Sequence, residues 1–188
     1  MKSILKNTGI LLAITLVAAI ALSFVYELTK EPIALAAQKA KAEAYQKVYE
    51  GAATFNDVEG ATALLNDYNA TLTAGTAVEE VLRVEDAAGN TLGYVMSVTA
   101  KGYAGAVRIA LGIEKSGTVV GYAVLEHGES PGFGANCENE DIKQQFLGIT
   151  DASQIDGITG ATITTNALKA ETQAAIDFVK TLEGGEAK

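Results

Sequence analysis

The chain has 188 residues, which is room for one domain of common size and an appendage. Its formal charge of −9 argues against nucleic-acid binding, because that affinity depends on clustered lysine and arginine side chains. A single cysteine and a single histidine exclude an intrachain disulfide and a metal site built from several such residues.

The first predicted element is an apolar segment near the N-terminus. Residues 8–26 contain no charged side chain, and these 19 residues approach the ~20 that a helix needs to cross the hydrocarbon core. A cleaved signal peptide is the alternative, because Ala18–Ala21 resembles a cleavage site. The apolar run continues to Tyr26, beyond the usual end of a signal-peptide core. We therefore expect a retained transmembrane helix over residues 9–28.

The charges that flank this segment predict its orientation. Lys2 and Lys6 precede the apolar run. The positive-inside rule therefore places residues 1–8 in the cytoplasm and the bulk of the chain outside the cell (inner or plasma) membrane. We expect a single-pass protein that contacts membrane lipid through this helix.

Residues 29–78 are expected to form an amphipathic helix and a connecting region. Pro32 is expected to end the first helix and to begin the next, because proline is tolerated in a first helical turn. The spacing of apolar side chains predicts an amphipathic helix over residues 33–50. Residues 51–77 show little sustained period, so we expect a loop with short elements there.

From residue 78 onward the hydrophobic period changes to that of strands. Two similar units, 84–94 and 113–122, each contain an apolar stretch, a short polar turn with glycine and a β-branched stretch that ends in Gly-Tyr. This pattern predicts hairpins, and we expect an antiparallel sheet of about four strands over residues 79–126.

Two helices are expected after the sheet. Residues 137–147 predict a short helix, and residues 163–182 predict a final helix with a buried apolar stripe. Glu183–Glu186 is expected to end that helix and to leave 184–188 as a loose tail. The predicted fold class is therefore α+β, with an N-terminal transmembrane helix followed by a domain over residues 79–183 in which helices flank an antiparallel sheet.

The segment Asp156–Asn166, just before the final helix, is rich in glycine and hydroxyl groups. It combines four threonines with two glycines, so a bulky partner can approach the backbone closely. The first turn of a helix also has free N–H groups and a partial positive charge, which together favour a phosphate. From these residues alone, Thr162 either carries a phosphate-linked cofactor or is an ordinary helix N-cap.

The rest of the chain offers no catalytic set. Only one histidine is available and no serine lies in a nucleophile elbow, so a Ser-His-Asp site is not indicated. Neither a P-loop nor a dinucleotide-binding glycine motif is present. We assign no residue a catalytic role, and the pattern is typical of a site whose bound cofactor supplies the reactivity.

Two motifs resemble those of the FMN-binding domain family. Asp156–Thr162 matches the family motif D-G-x-[ST]-G-A-T, in which the last threonine is bonded to the phosphate of FMN. His127–Gly134 resembles the family loop H-x-E-[ST]-P-G-[LF]-G. The N-terminal span followed by residues 29–34 is similar to the RnfG family of Rnf electron-transport complexes, so the resemblance covers almost the whole chain.

The resemblance implies a covalent flavin site. A separate flavin transferase would move FMN from FAD to the Thr162 hydroxyl and form a phosphoester. Asp156 and Gly157 belong to the attachment motif, and Asp156 would serve the attachment reaction. The other FMN-binding residues that the resemblance implies are Thr159, Gly160, Ala161, Thr164 and Thr165 near the attachment threonine, and Glu129, Ser130, Pro131, Gly132, Phe133 and Gly134 in the upstream loop. Hydroxyls among the first group would donate to phosphate oxygens.

Some side chains near these motifs also have a structural interpretation. Phe133 is either an apolar flavin contact or part of the core, and His127 is expected to be a hydrogen-bonded structural residue. The tyrosines Tyr94, Tyr103 and Tyr122 are expected to pack in the sheet. Cys137 is given no function.

The resemblance implies electron transfer. The chain would be a membrane-anchored covalent-FMN carrier that works with the other subunits of an Rnf-type complex, which couples electron transfer between ferredoxin and NAD to Na+ or H+ translocation. It would not be catalytic alone. The alternatives are the C subunit of a Na+-translocating NADH:quinone reductase, an anchored extracytoplasmic flavin-binding module without ion pumping, and a purely structural anchored domain.

Overall fold

The computed structural model describes residues 2–186. The chain divides into two compact units, one ending at Lys41 and the other beginning at Ala42. The elements in chain order are α1 (Lys2–Val48), β1 (Thr54–Asp57), α2 (Ala61–Asn69), β2 (Ala77–Glu85), β3 (Thr91–Lys101), β4 (Ala106–Glu114), β5 (Val119–His127), a 3-10 turn (Gly134–Glu138), α3 (Glu140–Gln144), a second 3-10 turn (Ala152–Gln154) and α4 (Thr162–Glu186).

The described part of the first unit consists of residues of α1, and this helix is long and apolar enough to cross a membrane. An 18-residue window within Lys6–Val48 has a mean hydropathy of 2.5, and none of that window is buried by protein. Large side chains such as Leu12 and Leu22 are exposed. A surface of this kind suits a helix that is surrounded by lipid, as the sequence predicts.

The expected helix break at Pro32 is wrong, because α1 is uninterrupted from Lys2 to Val48. A proline in a helix interior removes one backbone N–H and costs about 3 kcal/mol. The residues that surround Pro32 are mainly alanine, leucine, lysine, glutamate and glutamine. These residues have high helix propensity, so the helix continues on both sides of the proline.

The second unit is built on a five-stranded antiparallel sheet whose spatial order follows the sequence, β1-β2-β3-β4-β5. Strands β2 to β5 are the predicted ones, and their register pairs Leu82 with Val95 and Met96 with Leu111. Strand β1 pairs with β2 in the region that was expected to be loop with short elements. Its four residues are mostly exposed and have no alternating apolar pattern, so the sequence does not reveal this strand.

Helix α4 covers one face of the sheet. Leu168, Ala175 and Phe178 lie at helical spacing and belong to the same buried cluster as Val98 and Leu111 of the central strands. This cluster is the main core of the second unit. It fixes α4, and with it the segment that leads into α4, against β3 and β4.

Two helix predictions need correction. The single helix expected over 137–147 is replaced by the first 3-10 turn and the short helix α3. The expected helix end at Glu183–Glu186 is wrong, because α4 includes these residues. Gly184 lacks the positive φ of a glycine cap and continues the helix instead. Of the predicted loose tail, Ala187 and Lys188 lie outside the described residues.

The last turn of α1 packs on the other face of the sheet. Tyr45 and Val48 form a second buried cluster with Val95 and Ala110. The amphipathic stripe that was predicted over 33–50 is therefore buried only at its C-terminal end, whereas Ile33 is exposed.

Two glycines in neighbouring strands allow this close approach. A Cβ atom on Gly112 or on Gly121 would overlap the carbonyl oxygen of Val48. The backbone of Val48 can therefore contact β4 and β5 only because both strands have a glycine at this point.

Gly121→Ala is expected to destabilise the second unit by about 1–3 kcal/mol, the usual cost of overpacking a core. Gly105→Ala is the control, because a Cβ there would meet no atom within 4 Å. Urea unfolding of both variants in detergent measures the difference. Equal stabilities would contradict the close contact between Val48 and the sheet.

Glu171 is an acidic residue that is buried in the second unit. It lies on α4 and is 0% exposed, and neither carboxyl oxygen has a hydrogen-bond partner among the described residues. Burial raises the pKa of Glu171 well above its usual range, and the charge of Glu79 raises it further. The backbone amide of Ala100 offsets part of this rise without satisfying either oxygen. Glu171 is therefore expected to keep its proton at neutral pH.

This buried acid makes stability depend on pH in a defined direction. The folded state holds the proton above the ordinary pKa of 4.5, whereas the unfolded state releases it. The free energy of unfolding should thus fall as the pH rises above 4.5, by up to about 1.4 kcal/mol per pH unit. Glu171→Gln should remove this fall, while Glu50→Gln, at an exposed site, should keep it. Parallel stability curves for wild type and Glu171→Gln would refute a proton held by Glu171.

Candidate functional site

The threonine-rich motif forms the turn that leads into α4. The carbonyl of Ala161 accepts the N–H of Thr165 at 2.9 Å, so Ala161 is the N-cap residue and Thr162 is the first residue of the helix. The N-cap interpretation of Thr162 is therefore wrong. Thr162 is exposed, and none of the described residues forms a hydrogen bond with its hydroxyl. The hydroxyl is thus available for a ligand.

The preceding residues hold this turn in place. Gly160 has a φ of 79°, and a Cβ there would come within 3.3 Å of the Phe133 ring. The amide of Ile158 donates to the Thr165 hydroxyl at 3.0 Å, and the amide of Gly157 donates to the side chain of Gln145 at 3.0 Å. Thr165 is buried, so its hydroxyl stabilises the motif from inside.

A cavity of about 500 Å³ opens beside Thr162 and brings the two predicted loops together. Its walls come from the loop after β5, from the threonine motif and from the loop between β3 and β4. The lining residues are Tyr103, Glu129, Ser130, Phe133, Gly134, Gly160, Ala161, Thr162, Ile163 and Thr164.

Most predicted site residues line this cavity, and some do not. Pro131, Gly132, Thr159 and Thr165 do not line it. Thr159 is exposed, Pro131 and Gly132 are also exposed, and Thr165 is buried in the turn. Asp156 of the attachment motif is exposed and lies outside the lining as well.

The sequence missed two lining residues, Tyr103 and Ile163. The expectation that Tyr103 packs in the sheet is wrong, because it is 71% exposed in the β3–β4 loop. Tyr94 and Tyr122 are buried as expected, and the ring of Tyr122 stacks on that of Phe146 with centroids 4.0 Å apart. The signal that was available for Tyr103 is its position between Gly102 and Gly105, at the tip of a hairpin.

Phe133 belongs to the cavity and not to the core. Its side chain is 56% exposed, and its ring lies beside Gly160 in the cavity wall. With Tyr103 and Ile163 it provides an apolar rim around Thr162. A planar aromatic ligand could pack against such a rim.

Glu129 and Thr164 interact with each other beneath this rim. The Thr164 hydroxyl donates a hydrogen bond to Oε2 of Glu129, and the Ala104 amide donates to Oε1 at 2.9 Å. Glu129 is 6% exposed and Thr164 is fully buried. The Thr164 hydroxyl, which was expected to donate to a phosphate, donates to Glu129 in this structure.

The imidazole ring of His127 accepts one hydrogen bond and lies beside a carboxylate. Its Nδ1 accepts the amide of Glu129 at 3.1 Å, and its Nε2 lies 3.2 Å from a carboxylate oxygen of Glu138. This network assigns the proton of the neutral ring to Nε2. The expected hydrogen bond of His127 is present, and its structural role stays a prediction.

Cys137 is fully buried, and burial raises the pKa of its thiol to about 12. A thiol of this kind is protonated and unreactive at neutral pH. No group of three or more metal-ligating side chains lies close together in the described chain.

Comparison with known proteins identifies the family. Residues 102–177 match the FMN-binding domain model, and residues 1–48 match the RnfG N-terminal region model. The G subunit of an ion-translocating oxidoreductase complex from Methanosarcina acetivorans is 30% identical over 97% of this chain and 98% of its own length. This chain belongs to the RnfG family.

Two other similar proteins match about half of the chain. The G subunit of a proton-translocating ferredoxin:NAD(+) oxidoreductase complex from Clostridium ljungdahlii is 32% identical over 51% of this chain and 58% of its own length. The crystal structure of NqrC from Shewanella oneidensis is 20% identical and covers 54% of this chain and 60% of that one, with a TM-score of 0.45.

The resemblance to the RnfG family that the sequence indicated is confirmed. The match of residues 1–48 to the RnfG N-terminal region favours this family over the alternative of a quinone-reductase C subunit.

Proposed function

We propose that this RnfG family member is a membrane-anchored electron carrier whose FMN is joined to Thr162 by a phosphoester. The observation that carries this proposal is the position of the Thr162 hydroxyl. Thr162 is the first residue of α4 and is exposed, and its hydroxyl has no hydrogen-bond partner among the described residues. It lines the cavity to which both motif loops contribute residues. The motif match and the FMN-binding domain model support the same cofactor.

The residues present suit a flavin phosphate. The amides of Thr162, Ile163 and Thr164 are the donors that the first turn of a helix leaves free, and the helix dipole adds a partial positive charge. The cavity of about 500 Å³ falls within the usual size of small-molecule sites, about 300–1,000 Å³. Gly160 has no side chain that would crowd the phosphate, and Tyr103 and Phe133 supply aromatic surface.

Attachment requires a separate flavin transferase. In that reaction the Thr162 oxygen bonds to the phosphorus of the FMN part of FAD, the phosphoanhydride bond breaks, AMP leaves and the hydroxyl proton is released. Bound FMN supplies the redox chemistry of the site. The chain's own residues hold the phosphate at α4 and provide the apolar rim.

The anchor and the partners define the setting of this carrier. Lys2 and Lys6 predict a cytoplasmic N-terminus, so we propose that the FMN domain lies on the extracytoplasmic side of the membrane. The family relatives are named as subunits of ion-translocating oxidoreductase complexes. We propose that this chain relays electrons within such a complex, in contact with its other subunits and with lipid, and does not complete a reaction alone.

Thr162→Ala is expected to abolish covalent FMN on protein that is co-expressed with a flavin transferase, because only the Thr162 hydroxyl would carry the phosphoester. Flavin fluorescence of the denatured protein on a gel measures the attachment. Thr165→Ala is the control and should keep the signal, since the Thr165 hydroxyl bonds within the turn. Covalent flavin that persists in Thr162→Ala would overturn the assignment.

Protease added outside spheroplasts is expected to digest the FMN domain, because the two lysines ahead of the membrane span keep the N-terminus inside. An epitope tag after Lys188 reports the loss of the domain on an immunoblot. A tag placed before Met1 should remain protected. Full protection of the C-terminal tag, with digestion only after lysis, would contradict this orientation.

A further inference from the structure

The carboxylate of Glu129 joins separate segments of the chain around the cavity. One oxygen accepts the Ala104 amide of the β3–β4 loop, and the other accepts the Thr164 hydroxyl in the first turn of α4. Among the side chains that the structure describes, no lysine or arginine forms a salt bridge with Glu129. The carboxylate is therefore held by two hydrogen bonds, one from each of these segments.

Two glycines leave the space that this carboxylate occupies. A Cβ atom on Gly102 would lie 2.6 Å from Oε1 of Glu129. A Cβ atom on Gly134 would overlap both Oε2 and the Thr164 hydroxyl. Three segments of the chain thus meet at the Glu129 carboxylate: the β3–β4 loop, the segment after β5 and the first turn of α4.

The two groups that donate to Glu129 belong to residues that lie close in sequence to the cavity residues Tyr103 and Thr162. Ala104 directly follows Tyr103, which is exposed and lines the cavity. Thr164 is two residues beyond Thr162 on the same helical turn. Holding Ala104 and Thr164 to one carboxylate therefore fixes where Tyr103 lies relative to the Thr162 oxygen.

We propose that Glu129 is a positioning residue: with the Ala104 amide and the Thr164 hydroxyl it forms a latch that holds Tyr103 against the isoalloxazine ring of the cofactor. This inference rests on the proposed function for its ligand, but the latch itself is a property of the chain. Tyr103 is the ring contact, and Glu129 acts only through the two segments that it joins. Glu129 is 6% exposed, which leaves little of it for direct contact with a ligand.

The latch has two measurable consequences in the full-length protein in detergent, co-expressed with a flavin transferase. The Ala104 amide should be protected from hydrogen exchange, because it donates to a buried carboxylate. Flavin fluorescence, measured per attached flavin, should rise when the protein is denatured, because a tyrosine that contacts the ring quenches it in the native state.

Thr164→Val removes one donor and keeps the branched shape of the side chain. Protection of Ala104 is expected to be lost, and the native fluorescence per flavin is expected to rise to the level of Tyr103→Leu. The double variant Tyr103→Leu/Thr164→Val should show no further rise. Thr164→Ser should restore both the protection and the quenching, because it returns the hydroxyl.

Thr172→Val is the matched control. Thr172 is also a fully buried threonine of α4, but its hydroxyl donates to the carbonyl of Leu168 at 2.8 Å and takes no part in the latch. Its substitution should change neither measurement. If Thr164→Val does not fold, Gly102→Ala is the second variant, because its Cβ would push the carboxylate away from Ala104.

The outcomes separate the latch from the proposed function. Wild-type protein without covalent FMN would refute the proposed function, while the exchange of Ala104 would still test the latch. Unchanged Ala104 protection in the folded Thr164→Val or Gly102→Ala variant would overturn the latch. Lost protection with unchanged fluorescence per flavin would overturn the placement of Tyr103 against the ring.

Discussion

The geometry of the site depends on a buried carboxylate that receives hydrogen bonds from two elements far apart in sequence. Glu129 accepts from the amide of Ala104 and the hydroxyl of Thr164. The bond from α4 comes from a side chain, so the free amides of the first turn are not used by the carboxylate. A phosphate at Thr162 and the carboxyl group of Glu129 can therefore lie beside one helix N-terminus without competing for the same donors.

The fold supports this arrangement because helices pack on both faces of the sheet. The main core, with Leu168 and Phe178 of α4, holds the helix against β3 and β4. On the opposite face, Gly121 admits the backbone of Val48 from the last turn of α1. The cavity lies at one end of this layered structure, where the β3–β4 loop, the loop after β5 and the start of α4 meet.

The sequence predicted the elements with strong local patterns and missed features that depend on distant contacts. Repeated hairpin signals gave the four strands β2 to β5, and the motif placed Thr162 at the start of a helix. The position of Tyr103 was missed because its exposure follows from the turn between two strands. The helix boundary predicted at Pro32 is wrong, because the helix propensity of the surrounding residues outweighs the free-energy cost of one proline in the helix. The partner of Thr164 lies 35 residues away, which no local pattern encodes.

The most direct test of the central claim locates the FMN on one oxygen atom. Tryptic digestion of protein co-expressed with a flavin transferase yields the peptide between Lys143 and Lys169, which contains all four threonines of the motif. Tandem mass spectrometry of that peptide should place an FMN-phosphoryl group on Thr162. The modification on Thr159, Thr164 or Thr165, or an unmodified peptide, would contradict the account.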